Sequence, residues 1–439
     1  MEKQTHELAA YYYIIVDKQG KMCAQKIEIH DGNSNNNLAE RMLNNILEDY
    51  NSLNDEFKKT WNDKAELTLE ETLRHERAEN CEFCSKEFVP GLVKKIKHHR
   101  WDTKVEYDSK GHVLKSNYVA TLCCFCNLRI TLKYRYLPTF AHNGGKFDSK
   151  FLIDGFNNGK FRDIDILKKS GENFMSITMK PKNKKQYGMK FLDSLNYFSM
   201  PLSKMAVSLR SSNHDFKFMK KTLSDMGYTD SLIDKLFQKG VFPYEYLDDF
   251  AKLKECQLPE KRHFYSSLTE STVTDSEYEF ALDVFKSANC SNLKDYLTLY
   301  LITDVLLLTE YIMTVRISMY NVHKLDITSF VTAPSYAIQS ALLNSKASIQ
   351  LITDTEVYAK FEENIRGGFA CANIGRVKCN TPNTQSFDKQ QPITTAGMLD
   401  FNGLYSDIMS QKLPNNGFYE LTSEKVESFN IMDVDVNGE

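Results

Sequence analysis

The spacing of apolar positions marks out a small number of elements. Residues 9–16 (AAYYYIIV) are an unbroken apolar run of eight, closed by the turn-forming Asp17–Gly20, and predict a buried strand. Residues 21–30 (KMCAQKIEIH) alternate and predict its hairpin partner. A polar, Asn-rich loop, Asp31–Asn37, follows. Between 38 and 60, Leu38, Met42, Leu43, Ile46 and Leu47 recur with the period of an amphipathic helix. Residues 134–141 are strand-like. Residues 296–313 (YLTLYLITDVLLLTEYIM) predict the strongest helix, with Leu299, Tyr300, Thr303, Leu307 and Tyr311 along one face. Residues 381–397 are polar and without period, a linker into a final segment where Met398–Asp400 predicts an apolar strand and then a turn. The chain stops at Glu439 in a strand-like run, and no internal repeat is visible.

At roughly 150 residues per domain, 439 residues allow about three domains. Apolar residues make up 42%, enough for sizeable cores, and Gly and Pro number only 19 and 10, which excludes a fibrous or disordered chain. The net charge of −3 names no partner. Ten cysteines are too sparse for a disulfide scaffold, and several cluster, which suggests metal binding in a reducing, intracellular compartment. Met1–Thr5 carries Glu2 and Lys3 and opens no signal peptide. A bilayer span needs about 20 nearly uncharged residues. Residues 9–16 are too short, and 296–313 carry Asp304 and Glu310, so no membrane partner is expected.

Charge is unevenly placed. Residues 93–135 hold ten Lys/Arg against three Asp/Glu, and residues 160–190 hold nine against three. That asymmetry suits a polyanion, although lysines on solvated loops produce the same count. The first basic segment overlaps two pairs, Cys81-x-x-Cys84 and Cys123-x-x-Cys126, separated by 38 residues. Each pair can form a tight knuckle with both sulfurs facing one point, and two knuckles complete a four-cysteine zinc site. The long separation implies an inserted hairpin or helix. Cys124 is then the spare thiol, and His98 and His99, in a Lys-rich loop, read as surface residues.

Three segments set carboxylates in special surroundings. In His142-Asn143-Gly144-Gly145-Lys146-Phe147-Asp148, a Gly pair between Asn and Asp precedes the apolar Phe151-Leu152-Ile153, so the turn presents Asp148 at a helix start, as a ligand or as a cap. Tyr300 and Asp304 are spaced i,i+4, on one helix face. Asp304 interrupts an apolar helix, where a carboxylate is costly unless paired or metal-bound. Asp400 ends an apolar run and is followed by Asn402, Gly403 and Tyr405, a placement suited to holding a divalent ion.

Order and spacing together resemble family B DNA polymerases, specifically the protein-primed group of viruses, organellar plasmids and Maverick/Polinton-type transposons. HNGGKFD (142–148) is similar to the second exonuclease motif and YLITD (300–304) to the third. IRGG (365–368) is similar to the link between exonuclease and polymerase domains, and LDFNGLYSDIMSQKLP (399–414) to polymerase motif A, with Gly403 where Ser is usual. FLDSLNYFSMPL (191–202), GVFPYEYLDDF (240–250) and TAPSYA (332–337) resemble the transposon branch, where a zinc module like that of endonuclease VII precedes the exonuclease motif.

The resemblance implies an α/β architecture: an RNase H-like 3'-5' exonuclease domain with an inserted, treble-clef-like zinc ribbon, and the first part of a polymerase palm. The divisions fall at 1–75, 76–136, 137–330 and 331–439. It implies DNA-directed DNA polymerase function in DNA replication, with DNA, deoxynucleotides and a terminal-protein primer as partners, and a nuclear location in a eukaryotic host. Asp148 and Asp304 would hold Mg2+ in the exonuclease, Tyr300 would orient the water and Asn143 would touch the primer end. Arg366, Gly367 and Gly368 would contact template. Asp400 would hold Mg2+ with the incoming nucleotide, and Tyr405 would lie under its sugar. Cys81, Cys84, Cys123 and Cys126 would hold structural Zn2+.

The pattern also has gaps. The first exonuclease motif, Asp-x-Glu, should precede residue 6, and Asp354-Thr355-Glu356 falls too late to replace it. The later polymerase motifs would lie beyond Glu439. Lys97-His98-His99-Arg100-Trp101 keeps at most one histidine of the nuclease-type zinc module. The expectation is a polymerase fragment, inactive alone. The alternatives are a non-catalytic DNA-binding remnant and a structure-selective endonuclease acting through His99.

Overall fold

The computed structural model describes residues 7–30, 32, 37–59, 64–100, 103–131, 136–156, 160–171, 173–183, 187–347, 349, 351–365, 371, 375–397, 399–412 and 421–430. The chain divides into two units, Met1–Ser340 and Ala341–Glu439.

The first unit opens with the expected hairpin, β1 (Ala10–Val16) antiparallel to β2 (Met22–Ile29). The apolar run of β1 is continuous because both of its faces are covered. Tyr11, Tyr13 and Ile15 enter one core, and Tyr12 enters another, flanked by Ala10, Ile14 and Val16. The tyrosine hydroxyls stay satisfied: Tyr13 donates to Asp49 at 2.6 Å, and Tyr11 accepts from Asn45 Nδ2 at 2.6 Å. Both partners lie on α1 (Leu38–Lys59), whose Leu43, Ile46 and Leu47 pack under the strand.

A small cysteine-bearing module follows. It begins with α2 (Leu69–Arg77), which Thr68 and Glu71 cap reciprocally. β3 (Lys95–His99) pairs antiparallel with β6 (Tyr118–Cys123), and the short hairpin of β4 (Glu106–Tyr107) and β5 (Val113–Lys115) fills the gap between the two cysteine pairs. α3 (Cys124–Thr131) folds back on this pair, with His98 Nδ1 2.7 Å from Asn127 Oδ1. Asn117 ties the preceding chain to the module, accepting from Glu66 N and donating to Lys64 O, each at 2.8 Å.

The central sheet has the order β7-β10-β9-β8. β7 (Tyr136–Ala141) leads into α4 (Asp148–Gly155), and β8 (Phe161–Ser170) and β9 (Asn173–Pro181) form a hairpin. β10 (Gly188–Asp193) runs antiparallel to β9 and parallel to β7, with Asp193 opposite Ala141. Its Met189 and Phe191, with Ile177 and Met179 of β9, join the core beneath β1 and α1.

The second core is helical: α5 (Leu202–Ser211), α6 (Lys217–Asp225), α7 (Asp230–Lys235) and α8 (Asp275–Ser287) surround α9 (Leu293–His323). α9 runs ten residues beyond its expected end at 313, since the mixed sequence 314–323 continues the helix until Lys324 turns left-handed at φ +58°. Leu299, Leu306 and Leu307 are fully buried at about 1.5–3 kcal/mol each, so core packing fixes the orientation of everything else on α9. Among the described residues α9 is the one helix long and apolar enough to cross a membrane, and its buried apolar residues, up to Met313, face this core. Glu310, at 0% exposure, accepts from Phe218 N at 2.6 Å, Met219 N at 3.1 Å and His214 Nε2 at 2.8 Å. It thereby caps α6, whose own N-cap, Phe216, offers no side-chain acceptor. α10 (Ala333–Ser345) follows, with Tyr336 edge-on to Phe330.

The second unit differs from expectation. Its described residues form α11 (Thr355–Asn364), α12 (Leu404–Ser410) and α13 (Ser423–Ser428), with an isolated bridge from Asn380 to Thr394 and no strand. Met398 lies outside the described residues; Leu399 and Phe401 are exposed, and 399–401 form no strand where a palm strand was expected, since a strand without a neighbour leaves its backbone groups unpaired. Asp354 has a structural role, accepting from Glu356 N and Val357 N at the start of α11.

Candidate functional site

Two parallel strands, β7 and β10, end side by side, and the chain leaving such ends commonly builds a binding site. The loop after β7 is His142–Phe147, and Asp148 begins α4 as expected. Asn143 adopts φ +60°, a conformation Asn tolerates better than most residues. Gly145 is packed so closely that a Cβ there would lie 2.3 Å from Phe174 O. Asp193, at the end of β10, accepts from Gly145 N at 3.1 Å, and His142 Nδ1 lies 2.9 Å from Ser194 Oγ.

Tyr300 and Asp304 share one face of α9. Lys239 Nζ donates to Tyr300 Oη at 2.7 Å and sits 2.5 Å from Asp304 Oδ2. The Tyr244 and Tyr300 hydroxyls are 2.5 Å apart. Gly240 lets this segment close on the ring, since a Cβ would meet Tyr300 at 3.4 Å. Asp304 Oδ1 is buried and meets no donor.

Electrostatics join the two halves. Crowding by protein, although the side chain still reaches solvent, and then repulsion from Asp193, push the Asp148 carboxyl up. Crowding by protein, although the Tyr244 side chain still reaches solvent, then Asp304 and Asp148, raise its phenol to about 12. Burial holds the His142 imidazole below its ordinary value, while Asp193, Lys239 and Asp304 all act on it. Burial and Asp304 push Tyr300 far up, so it stays a neutral phenol. Asp148, Asp193 and Asp304 therefore share one neighbourhood. They do not close into a compact ligand set: among the described residues the four cysteines are the sole group with three or more donors within 4.8 Å.

That group is Cys81, Cys84, Cys123 and Cys126. Cys84 Sγ and Cys123 Sγ lie 3.9 Å apart. Four sulfurs at about 2.3 Å from a tetrahedral zinc stand about 3.8 Å from one another, so the cluster fits the ion. Cys123 N donates to Cys81 Sγ at 3.2 Å, and Cys126 N to Cys123 Sγ at 3.5 Å. Burial opposes ionisation of Cys81, but amides of Cys123, Cys84 and Phe83 outweigh it and bring the thiol down to about 6. Cys124 lies outside the group.

Arg366, Gly367 and Gly368 lie outside the described residues. Asp400 and Tyr405 are exposed in the second unit, with Tyr405 at the start of α12. His99, on β3, has Nδ1 3.3 Å from Lys97 O. Sequence reasoning assigned no role to His142, Asp193, Lys239 or Tyr244. Asp193 could have been found as the acidic end of the apolar run FLD, and Lys239 as a lysine before a glycine in a short interhelical loop.

A family model described as DNA polymerase type B, organellar and viral, matches residues 129–436. A "Probable DNA polymerase" of Neurospora intermedia is 23% identical over 257 residues, covering 53% of this chain and 23% of the relative. The chain thus spans about a quarter of the length of that curated relative. No solved structure matches. With well over half of its residues matched by the family model, the chain belongs to the organellar and viral type B DNA polymerases.

Proposed function

We propose that Met1–Ser340 is the proofreading part of such a polymerase, an RNase H-like unit that binds a DNA 3' end and removes nucleotides from it with Mg2+. The carrying observation is the buried, donor-free Asp304 Oδ1 beside Lys239, in the neighbourhood of Asp148. A buried carboxylate oxygen without a partner is costly, and a divalent cation would relieve it. Asp148 and Asp304 would hold the ion, which when bound would activate water and stabilise the leaving oxygen. Tyr300, a neutral phenol held by Lys239 and Tyr244, would orient the attacking water by hydrogen bonding. Asn143 would meet the primer end, and the cysteine module would carry one structural Zn2+. In the second unit Asp400, Tyr405 and Arg366–Gly368 would serve nucleotide and template binding in the polymerase, whose deoxynucleotide incorporation and terminal-protein priming belong to the same proposal.

The test is release of 3'-terminal nucleotides from end-labelled single-stranded DNA with Mg2+ or Mn2+, comparing wild type with Asp304→Asn. Metal-dependent release lost in the variant supports the reading. A second reading is favoured by the open spacing of the three carboxylates: salt-dependent DNA binding without hydrolysis. Equal retention of DNA by both proteins, with intact 3' ends, would select it.

A further inference from the structure

We propose that Asp193 is a positioning residue that fixes the 142–148 loop and so holds Asp148 in the cleft beside Asp304. The inference rests on the exonuclease-like reading of that cleft. Asp193 is only 7% exposed. Its oxygens divide the work. Oδ1 accepts from Leu195 N at 2.9 Å and caps the short turn Ser194–Asn196. Oδ2 accepts from Gly145 N at 3.1 Å.

Gly145 is held from several sides. Its carbonyl accepts from Phe174 N at 3.0 Å, and a Cβ would lie 2.8 Å from Asn173 Oδ1 and 3.0 Å from Asp193 Oδ2. The Ser149 hydroxyl donates back to Gly145 O at 3.1 Å, so the pinned glycine is tied to the first turn of α4, where Asp148 sits. Ser149 N also donates to Gly144 O at 2.9 Å. The contact between His142 and Ser194 fastens the other end of the loop to the same turn.

A cap alone does not require an anion, since Asn or Ser caps a turn equally well. No Lys or Arg among the described residues pairs with Asp193. A buried charge with only amide donors is costly to keep, and a site for a divalent cation next to it gives the charge a use. Partners that orient metal ligands without touching the metal typically contribute 10- to 100-fold in affinity.

The test uses the full, zinc-loaded chain. Terbium(III) serves as the probe, since Tyr244 and Tyr300 can sensitise its luminescence, and deuterium exchange is followed in the peptide covering 142–148. The expected wild-type result is a saturable signal lost in Asp304→Asn. Asp193→Ala should weaken terbium binding by about 10- to 100-fold and speed exchange in 142–148, with α9 peptides unchanged. Asp193→Asn, which keeps one acceptor oxygen, should fall between; it also serves if the alanine variant fails to fold. Wild-type terbium affinity and unaltered 142–148 exchange in Asp193→Asn overturn the positioning role alone. A wild-type chain without an Asp304-dependent signal overturns the cleft reading, and the role with it.

Discussion

Lys239 Nζ and Asp304 Oδ2 lie 2.5 Å apart, and the other oxygen of the carboxylate has no donor. At the proposed site, a divalent cation would compete with the ammonium for one anion. Removing the positive charge with Lys239→Met should therefore tighten Mn2+ binding, by about tenfold for a difference near 1.4 kcal/mol. Electron paramagnetic titration of free Mn2+ gives the constant, and weaker binding in the variant would contradict this competition.

The cysteine module should hold one zinc per chain, measured by elemental analysis. Cys81→Ser should lose it, and the β3–β6 module should then unfold, because structural zinc supplies about 10–16 kcal/mol in small modules. Rapid amide exchange confined to residues 79–131 is the expected signature. Unchanged exchange there would mean that the small core around Val93 and Leu122 suffices by itself.

Glu310→Ala should destabilise the first unit by about 3–5 kcal/mol. It leaves two α6 amides and His214 without their acceptor in a water-free place. Urea unfolding followed by circular dichroism measures this. A loss below about 1 kcal/mol would show that α6 needs no cap from α9.

Asp326 accepts from Arg316 at the end of α9, with Nε 3.0 Å from both carboxylate oxygens. Burial alone would raise Asp326, but Arg316 and then Thr328 outweigh it and hold the carboxyl below its ordinary value. The folded form thus binds fewer protons than the unfolded form. The stabilisation is complete above the ordinary carboxylate range, near pH 4, and disappears as pH falls through the lowered value. Arg316→Ala should cost about 1 kcal/mol at pH 7 and progressively less below pH 4, read from unfolding midpoints.

Legibility in the sequence followed the range of the interactions. β1 and the first two-thirds of α9 are long apolar runs, and burial on all sides writes such runs directly. Asp148 at a helix start and Tyr300 with Asp304 on one face were readable from local spacing. The partners of Lys239, Tyr244 and Asp193 were not, because each lies more than 45 residues away along the chain, where no local pattern names it. Charge counts carry the same limit of range: Lys160 pairs with Glu48, more than a hundred residues earlier, so one of the nine cations at 160–190 is matched from outside the segment. Lys168 and Lys169 lie on β8, the last strand of the sheet, where lysine guards against edge pairing.

The alternating tyrosines of β1 make the frame of that strand unusually sensitive. Tyr11 and Tyr13 look toward α1 while Tyr12 looks toward the helices around α9. Gaining or losing a single residue between 10 and 16 would send every later side chain of the strand into the opposite layer. The hydroxyl that met Asp49 would then point among leucines, and both interiors would be spoiled by one genetic event.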